Sequence, residues 1–384
     1  MLMTKRHLAI GVLFVIIATS IAIFLFGVIK RPFNARTEAS RSTIIDANVN
    51  GSSPTNAVRG LPFTSTSASL DRAKQLIRNL RSIATKTKDV QALFYGNAAL
   101  FAELRKIGPD AVTASLDEIA DKTSPESLRI LLIEMVTSMA GRNDDRVGQV
   151  LMTIITDPEE VKAVKMQALQ WIPVTGNQSA GAKLLEMLPK QTDSDLEFGM
   201  TRALRGFQVP GSLDILRAEL ADGKEYLTRV AAYHALAKQG GHDALTVLQD
   251  SVAARLATGS QESHPEENTV SLHGILALGE IPDVSSLPIL ESVAKNPANS
   301  VSVRNTAIQT IATIGGLEAT QFLRHALQDE SNESVLVYVA RAISLAGERT
   351  DASACLAKAA TVSDSYTKTE LQKAAKELQQ KGTR

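Results

Sequence analysis

"RNTAIQTIATIGGLEATQFLRHALQDE", Arg304–Glu330, keeps apolar residues at helical spacing throughout except at Gly315–Gly316. Two glycines inside a helix would cost roughly 2 kcal/mol relative to alanine. The pair therefore marks a corner between two helices, with glycine supplying the left-handed backbone that ends the first. The same pattern recurs. "ALAKQGGHDALTVL" (Ala235–Leu248) overlays "TIATIGGLEATQFL" (Thr310–Leu323) in the glycine pair, in Ala244 against Ala319, and in Leu248 against Leu323. "ELRKIGPDAVTASL" (Glu103–Leu116) matches through Gly108, and further copies align through Gly141, Gly176, Gly206, Gly279 and Gly347. The eight marks step by 30 to 39 residues, the length of one helical hairpin per repeat.

The segment before each corner has its own register. Val303–Arg304, Ala307 and Ile311 precede Gly315; Arg229, Ala232 and Leu236 precede Gly240; Val164–Lys165 and Ala168 precede Gly176. Arg304, Arg229 and Lys165 each stand eleven residues before their glycine. With the Asp157–Pro158 turn upstream, this resembles the HEAT-like helical repeat in the short form also found in phycobilin lyases, over roughly residues 90–360. The resemblance implies an all-α α-solenoid in which each hairpin buries its apolar stripe against two neighbours. It also implies that the turn residues and the arginines serve packing between repeats. In such stacks the second helix tends to line the concave face, which makes Asp117, Lys183, Arg217, Gln249, Glu291, Arg324 and Lys358 the candidate partner contacts.

The expected organisation is a basic tail (1–7), a transmembrane signal anchor (8–29), a linker (30–68), a solenoid of about eight helix pairs (69–365) and a capping helix with tail (366–384). Leu8–Ile29 holds 22 residues without a charge, enough at 1.5 Å per residue to cross a hydrocarbon core of about 30 Å. Lys30–Arg31–Pro32 follows with no small-residue cleavage site, as expected of an uncleaved anchor. The layout resembles secretory targeting and sets the solenoid outside the cytoplasm, in the periplasm if the host is bacterial. The basic residues flanking the span also allow the cytoplasmic orientation. The linker is rich in Ser, Thr, Asn, Gly and Pro. Ser69 is expected to cap the first helix, with Asp71 in its first turn. Ala257–Thr269 reads as a polar loop inserted between repeats.

Net charge is zero, but residues 1–69 carry seven Lys/Arg against two Asp/Glu and the remainder 34 against 39. A mildly acidic body lacks the clustered basic surface of a nucleic-acid binder. The single cysteine, Cys355, excludes an internal disulfide and reads as a buried packing thiol. Trp171 reads as core, and Asp157–Glu160 as a turn with a helix N-terminus. No phosphate loop, H-E-x-x-H, G-x-S-x-G or C-x-x-C is present, and no two histidines share the i, i+4 spacing of a helical metal site. The expectation is a non-enzymatic scaffold for a protein partner, with no cofactor, metal or nucleic acid. A chromophore-handling enzyme, implied by the resemblance alone, and a mechanical spacer of the cell envelope are the alternatives.

Overall fold

Gly315 has φ +71° and Gly316 φ +87° in the computed structural model, so the opening stretch folds as two helices with no residue between the glycines. Their missing side chains permit a left-handed pair that any β-carbon would strain. The structure describes residues 67–140, 144–257 and 264–381. The anchor, nearly all of the linker, Gly141 and Gly382 lie outside the described residues. Among those described, no helix is long and apolar enough to cross a membrane.

The described residues, all within the Phe63–Arg384 unit, form nineteen α-helices and no strand. At the N-terminal end α1 (Ser67–Ala84) packs on α3 (Ala98–Ile107) and α4 (Pro109–Ala120), and α2 (Val90–Gly96) packs on α5. From there first helices alternate with second helices. The first helices are α5 (Glu126–Ala140), α7 (Lys162–Trp171), α9 (Ser194–Leu204), α11 (Tyr226–Gln239), α13 (Pro265–Glu280), α15 (Val301–Ile314), α17 (Glu333–Ala346) and α19 (Ser365–Gln380). Between them run α6 (Asp145–Thr156), α8 (Gln178–Met187), α10 (Leu213–Ala218), α12 (Gly241–Leu256), α14 (Leu287–Lys295), α16 (Gly316–Asp329) and α18 (Ala352–Ala359).

Each first helix packs along its neighbours from α5 to α19, whereas successive second helices meet only over short stretches. The result is a two-layer α-solenoid, closely spaced on the first-helix side. Its interior is the register read from the sequence: Val303, Ala307 and Ile311, like Val335, Val339 and Ile343, are completely buried. Short polar side chains start several helices by bonding the backbone N–H of the third residue beyond. Ser300 reaches Val303 N at 3.3 Å, Asn332 reaches Val335 N at 3.2 Å and Asp364 reaches Thr367 N at 2.6 Å.

Three local expectations change. Helix α1 begins at Ser67, so Asp71 falls in its second turn and Ser69 bonds Asp110 of α4 instead of capping its own helix. The inserted stretch is shorter than it reads, because Pro265 opens α13 and residues 265–269 are helical; proline suits that first position, where its missing N–H has no partner to lose. Not every glycine mark is a left-handed corner. Gly108, Gly176 and Gly240 share the positive φ of Gly315, while Gly206, Gly279 and Gly347 do not. Gly206 serves close approach, since a Cβ there would stand 2.2 Å from Cβ of Pro173.

Candidate interaction surface

The repeats are clamped by arginines. Arg304 donates through Nε to the Ala294 carbonyl at 2.7 Å, the end of the preceding second helix, and pairs with Glu330 at the end of the next. Arg129 repeats the device: Nε to the Ile119 carbonyl at 2.8 Å, and two parallel bonds to Glu160 at 2.9 and 2.5 Å. Both side chains of that pair are 3% exposed. Burial pushes the Glu160 carboxyl up, but the Arg129 guanidinium together with the Val161 N–H outweighs it and holds the group below the usual range. Arg229 bonds Glu267, which also takes Arg255. These contacts give Arg304 and Arg229 the packing role expected of them. Lys165 forms no such clamp among the described residues. The sequence reading missed Arg129, which stands twelve residues before Gly141 instead of eleven, and it took Glu160 for a turn residue.

The seven second-helix candidates are largely occupied by the molecule itself. Arg324 bonds Asp351 at 2.6 and 3.1 Å and Glu348 at 3.1 Å. Gln249 bonds Ser285 and Ser286 at 3.0 and 3.1 Å. Lys358 donates to the carbonyls of Gln328 and Glu330 at 2.8 and 2.9 Å. All three bridge adjacent repeats. Lys183 pairs with Glu186, Arg217 with Asp214 and Glu291 with Lys295, each within its own helix. Asp117 is exposed on α4. The structure does not gather the seven into one cluster.

A different set shares one face. Five residues beyond the arginine position of the first helices from α5 to α17 stand Glu134, Gln170, Arg202, His234, His273, Gln309 and Arg341. Each is open or half-open to solvent beside buried neighbours such as Leu169, Ala203, Ala235, Gly274, Ile308 and Ala342. One turn earlier, Met166, Phe198 and Val230 are half-buried. The helices lie side by side, so these positions form a row crossing the first-helix layer, one rung per repeat.

Two rungs touch directly. His234 Nε2 lies 2.8 Å from His273 Nδ1, and His234 Nδ1 lies 2.5 Å from Glu280. A carboxylate only accepts, so His234 carries a proton on the Nδ1 that faces Glu280. Burial, then the adjacent His234 and Arg205, push His273 down to about 4. Arg205 reaches Glu280 at 3.4 Å, so the four groups bond in a chain, and among the described residues no group of three or more His, Cys, Asp or Glu is disposed to hold a metal ion. Cys355 is fully buried, and burial pushes its thiol up to about 11. Trp171 is half-buried and packs against the core.

Residues 261–344 match the family model for HEAT repeats. No curated protein sequence matches the chain. Among solved structures, Kap121p shares 14% identity with a TM-score of 0.51, covering 81% of this chain and 38% of its own. Human deoxyhypusine hydroxylase in complex with glycerol shares 16% identity at a TM-score of 0.30, covering 72% of this chain and 96% of its own. The complex of CpcE and CpcF of phycocyanin lyase from a Nostoc species shares 13% at 0.38, covering 70% and 94%. The matched segment, α13 to α17, is thus similar to HEAT repeats, and the same helix-pair plan runs through the rest of the described body.

Proposed function

We propose that this chain is a non-enzymatic, membrane-tethered scaffold that binds a protein partner along the row of its first helices. The observation that carries the reading is the row itself, a set of register-equivalent, solvent-facing side chains repeated across consecutive repeats and unused by the core. Gln249, Arg324 and Lys358 on the second helices join repeats, as do His234, His273 and Arg341 within the row, which leaves Glu134, Gln170, Arg202 and Gln309 as its open positions. Neighbouring helices pack about 8–10 Å apart and an extended chain rises about 3.3 Å per residue. An extended segment crossing the layer therefore meets a new rung roughly every third residue. The uncharged run Leu8–Ile29 supports a membrane anchor, and its layout supports an extracytoplasmic body.

Site-specific photo-crosslinking on the full-length chain in intact membranes tests the reading. A photoreactive side chain at Gln170 or Gln309 is expected to capture a discrete partner band. The same group at Asp117 or Lys183, on the other layer, is expected to capture none. Crosslinks confined to the second-helix positions, or none at all, would reject the row as the binding face.

A further inference from the structure

The row holds one arginine that the molecule leaves unanswered. Every other arginine that packing encloses or half-encloses has an anionic partner: Arg81 with Asp121, Arg129 with Glu160, Arg229 and Arg255 with Glu267, Arg304 with Glu330, Arg324 with Asp351. Arg202 has neither a hydrogen-bond nor an ion-pair partner among the described residues, although α9 and its surroundings half-bury it. Its guanidinium carbon lies 5.3 Å from the centre of the Phe198 ring, one turn back on the same helix. Met166 of α7 lies against the same helix, its sulfur 3.1 Å from where a Cβ on Gly199 would stand. The guanidinium is thus stripped of part of its water, held against an aromatic face and given nothing to neutralise it. Burial accordingly lowers it from the ordinary arginine value.

A half-desolvated cation is unfavourable in the free protein and becomes favourable once an anion takes the lost water's place. We infer that Arg202, with Phe198 beside it, is the anchor point for a carboxylate side chain of a partner protein, presented on a segment that carries an apolar residue next to the acid. This inference rests on the first-helix row as the binding face and names the chemistry of one of its rungs. The occupant is a protein carboxylate and not a polyanion, because the surroundings are not basic. Residues 70–384 carry 34 Lys/Arg against 39 Asp/Glu, Asp195 stands exposed on the same helix, and Arg205 is already paired with Glu280 at 3.4 Å. A phosphate backbone or an anionic bilayer would meet net repulsion there, whereas a single carboxylate meets one matched, planar donor fork.

The test uses a displayed library of random twelve-residue peptides, selected on the full-length protein in detergent micelles, with affinities then read by fluorescence anisotropy. The expected result is enrichment of Asp or Glu at one fixed position beside an aliphatic or aromatic residue. Arg202→Gln should weaken the selected peptides about 10- to 100-fold, and replacing the peptide's acid by its amide should cost the same factor without adding to it. Arg105→Gln, at an exposed arginine away from the row, should leave binding unchanged. The melting temperature of Arg202→Gln, equal to or above that of the parent, separates lost recognition from unfolding. Peptides without a fixed acid, peptides that bind Arg202→Gln as well as the parent, or failure of any peptide to enrich would overturn the anchor. The crosslinking at Gln170 and Gln309 would still report separately on the row as a binding face.

Discussion

Removing Glu160 strands a buried cation, which makes Glu160→Ala the sharpest probe of how the repeats hold together. The substitution deletes two bonds to Arg129, at 2.9 and 2.5 Å, and the bond at 2.8 Å that Glu160 accepts from Val161 N–H. Arg129 keeps only its bond to the Ile119 carbonyl. With both side chains 3% exposed, water cannot readily replace what is lost, and breaking one side of such a pair costs about 3–5 kcal/mol. A stacked array unfolds by neighbouring units, not necessarily as a whole. The assay is therefore hydrogen exchange resolved by peptide. Amides of α5 and α7 should exchange about 100- to 5,000-fold faster, following 1.4 kcal/mol per tenfold, while those of α17 and α19 stay as protected as in the parent. Replacing both partners with apolar side chains, Arg129→Met with Glu160→Leu, should recover most of the loss because no charge is left stranded. The reasoning is refuted if Glu160→Ala changes local protection by less than tenfold, or if the double substitution is no better than the single one.

Three further outcomes are expected. His273 stays neutral in the folded protein down to about pH 4, whereas the unfolded chain takes up that proton near 6.5. Stability should therefore fall as pH drops from 6.5 towards 4, by about 1–2 kcal/mol once screening on its solvent side is allowed for; His273→Gln should flatten that part of a melting-temperature profile, and an unchanged profile would remove this group as the cause. Gly315→Ala should cost about 1–2 kcal/mol through its φ of +71° alone, since no neighbour comes nearer a Cβ than the Ala312 carbonyl at 3.9 Å; chemical denaturation showing no loss would mean that the corner relaxes freely. Cys355 should resist alkylation at pH 8 until the last repeats unfold, because the thiol is enclosed and held up to about 11; rapid labelling of the native protein would contradict its burial.

Much of this architecture was legible because glycine corners and apolar stripes are local signals. Gly108, Gly240 and Gly315 need a backbone that only their own residue type readily provides, so each announces its corner. Gly206 and Gly347 were legible as marks but not in their purpose. Gly206 is small to admit Pro173, and Gly347 to clear the Ile343 carbonyl, which a Cβ would approach to 2.5 Å. Pro173 lies 33 residues from Gly206, far outside helical or turn spacing, whereas Ile343 is only one helical turn before Gly347. The clamp between Arg129 and Glu160 was hidden as Pro173 was, since its partners sit 31 residues apart and meet only through stacking. The row proposed for binding lies a fixed five residues beyond Lys165, Arg229 and Arg304, so its register was already present. What the sequence could not tell is which individual polar groups are spent on holding the stack together. Arg324 and Arg202 look alike as letters; one faces Asp351, the other faces nothing charged.

The nearest-neighbour character of the clamps bears on how such a molecule can change. Arg304 reaches only the carbonyl of the unit before it and the acid that closes its own, so a whole hairpin could be spliced in or out and each cut edge would still find its counterpart. Reach along the row would then lengthen or shorten in steps of one rung, roughly three residues of ligand at a time. Partner preference in chains built this way can drift by copying modules, with no need to redesign a core.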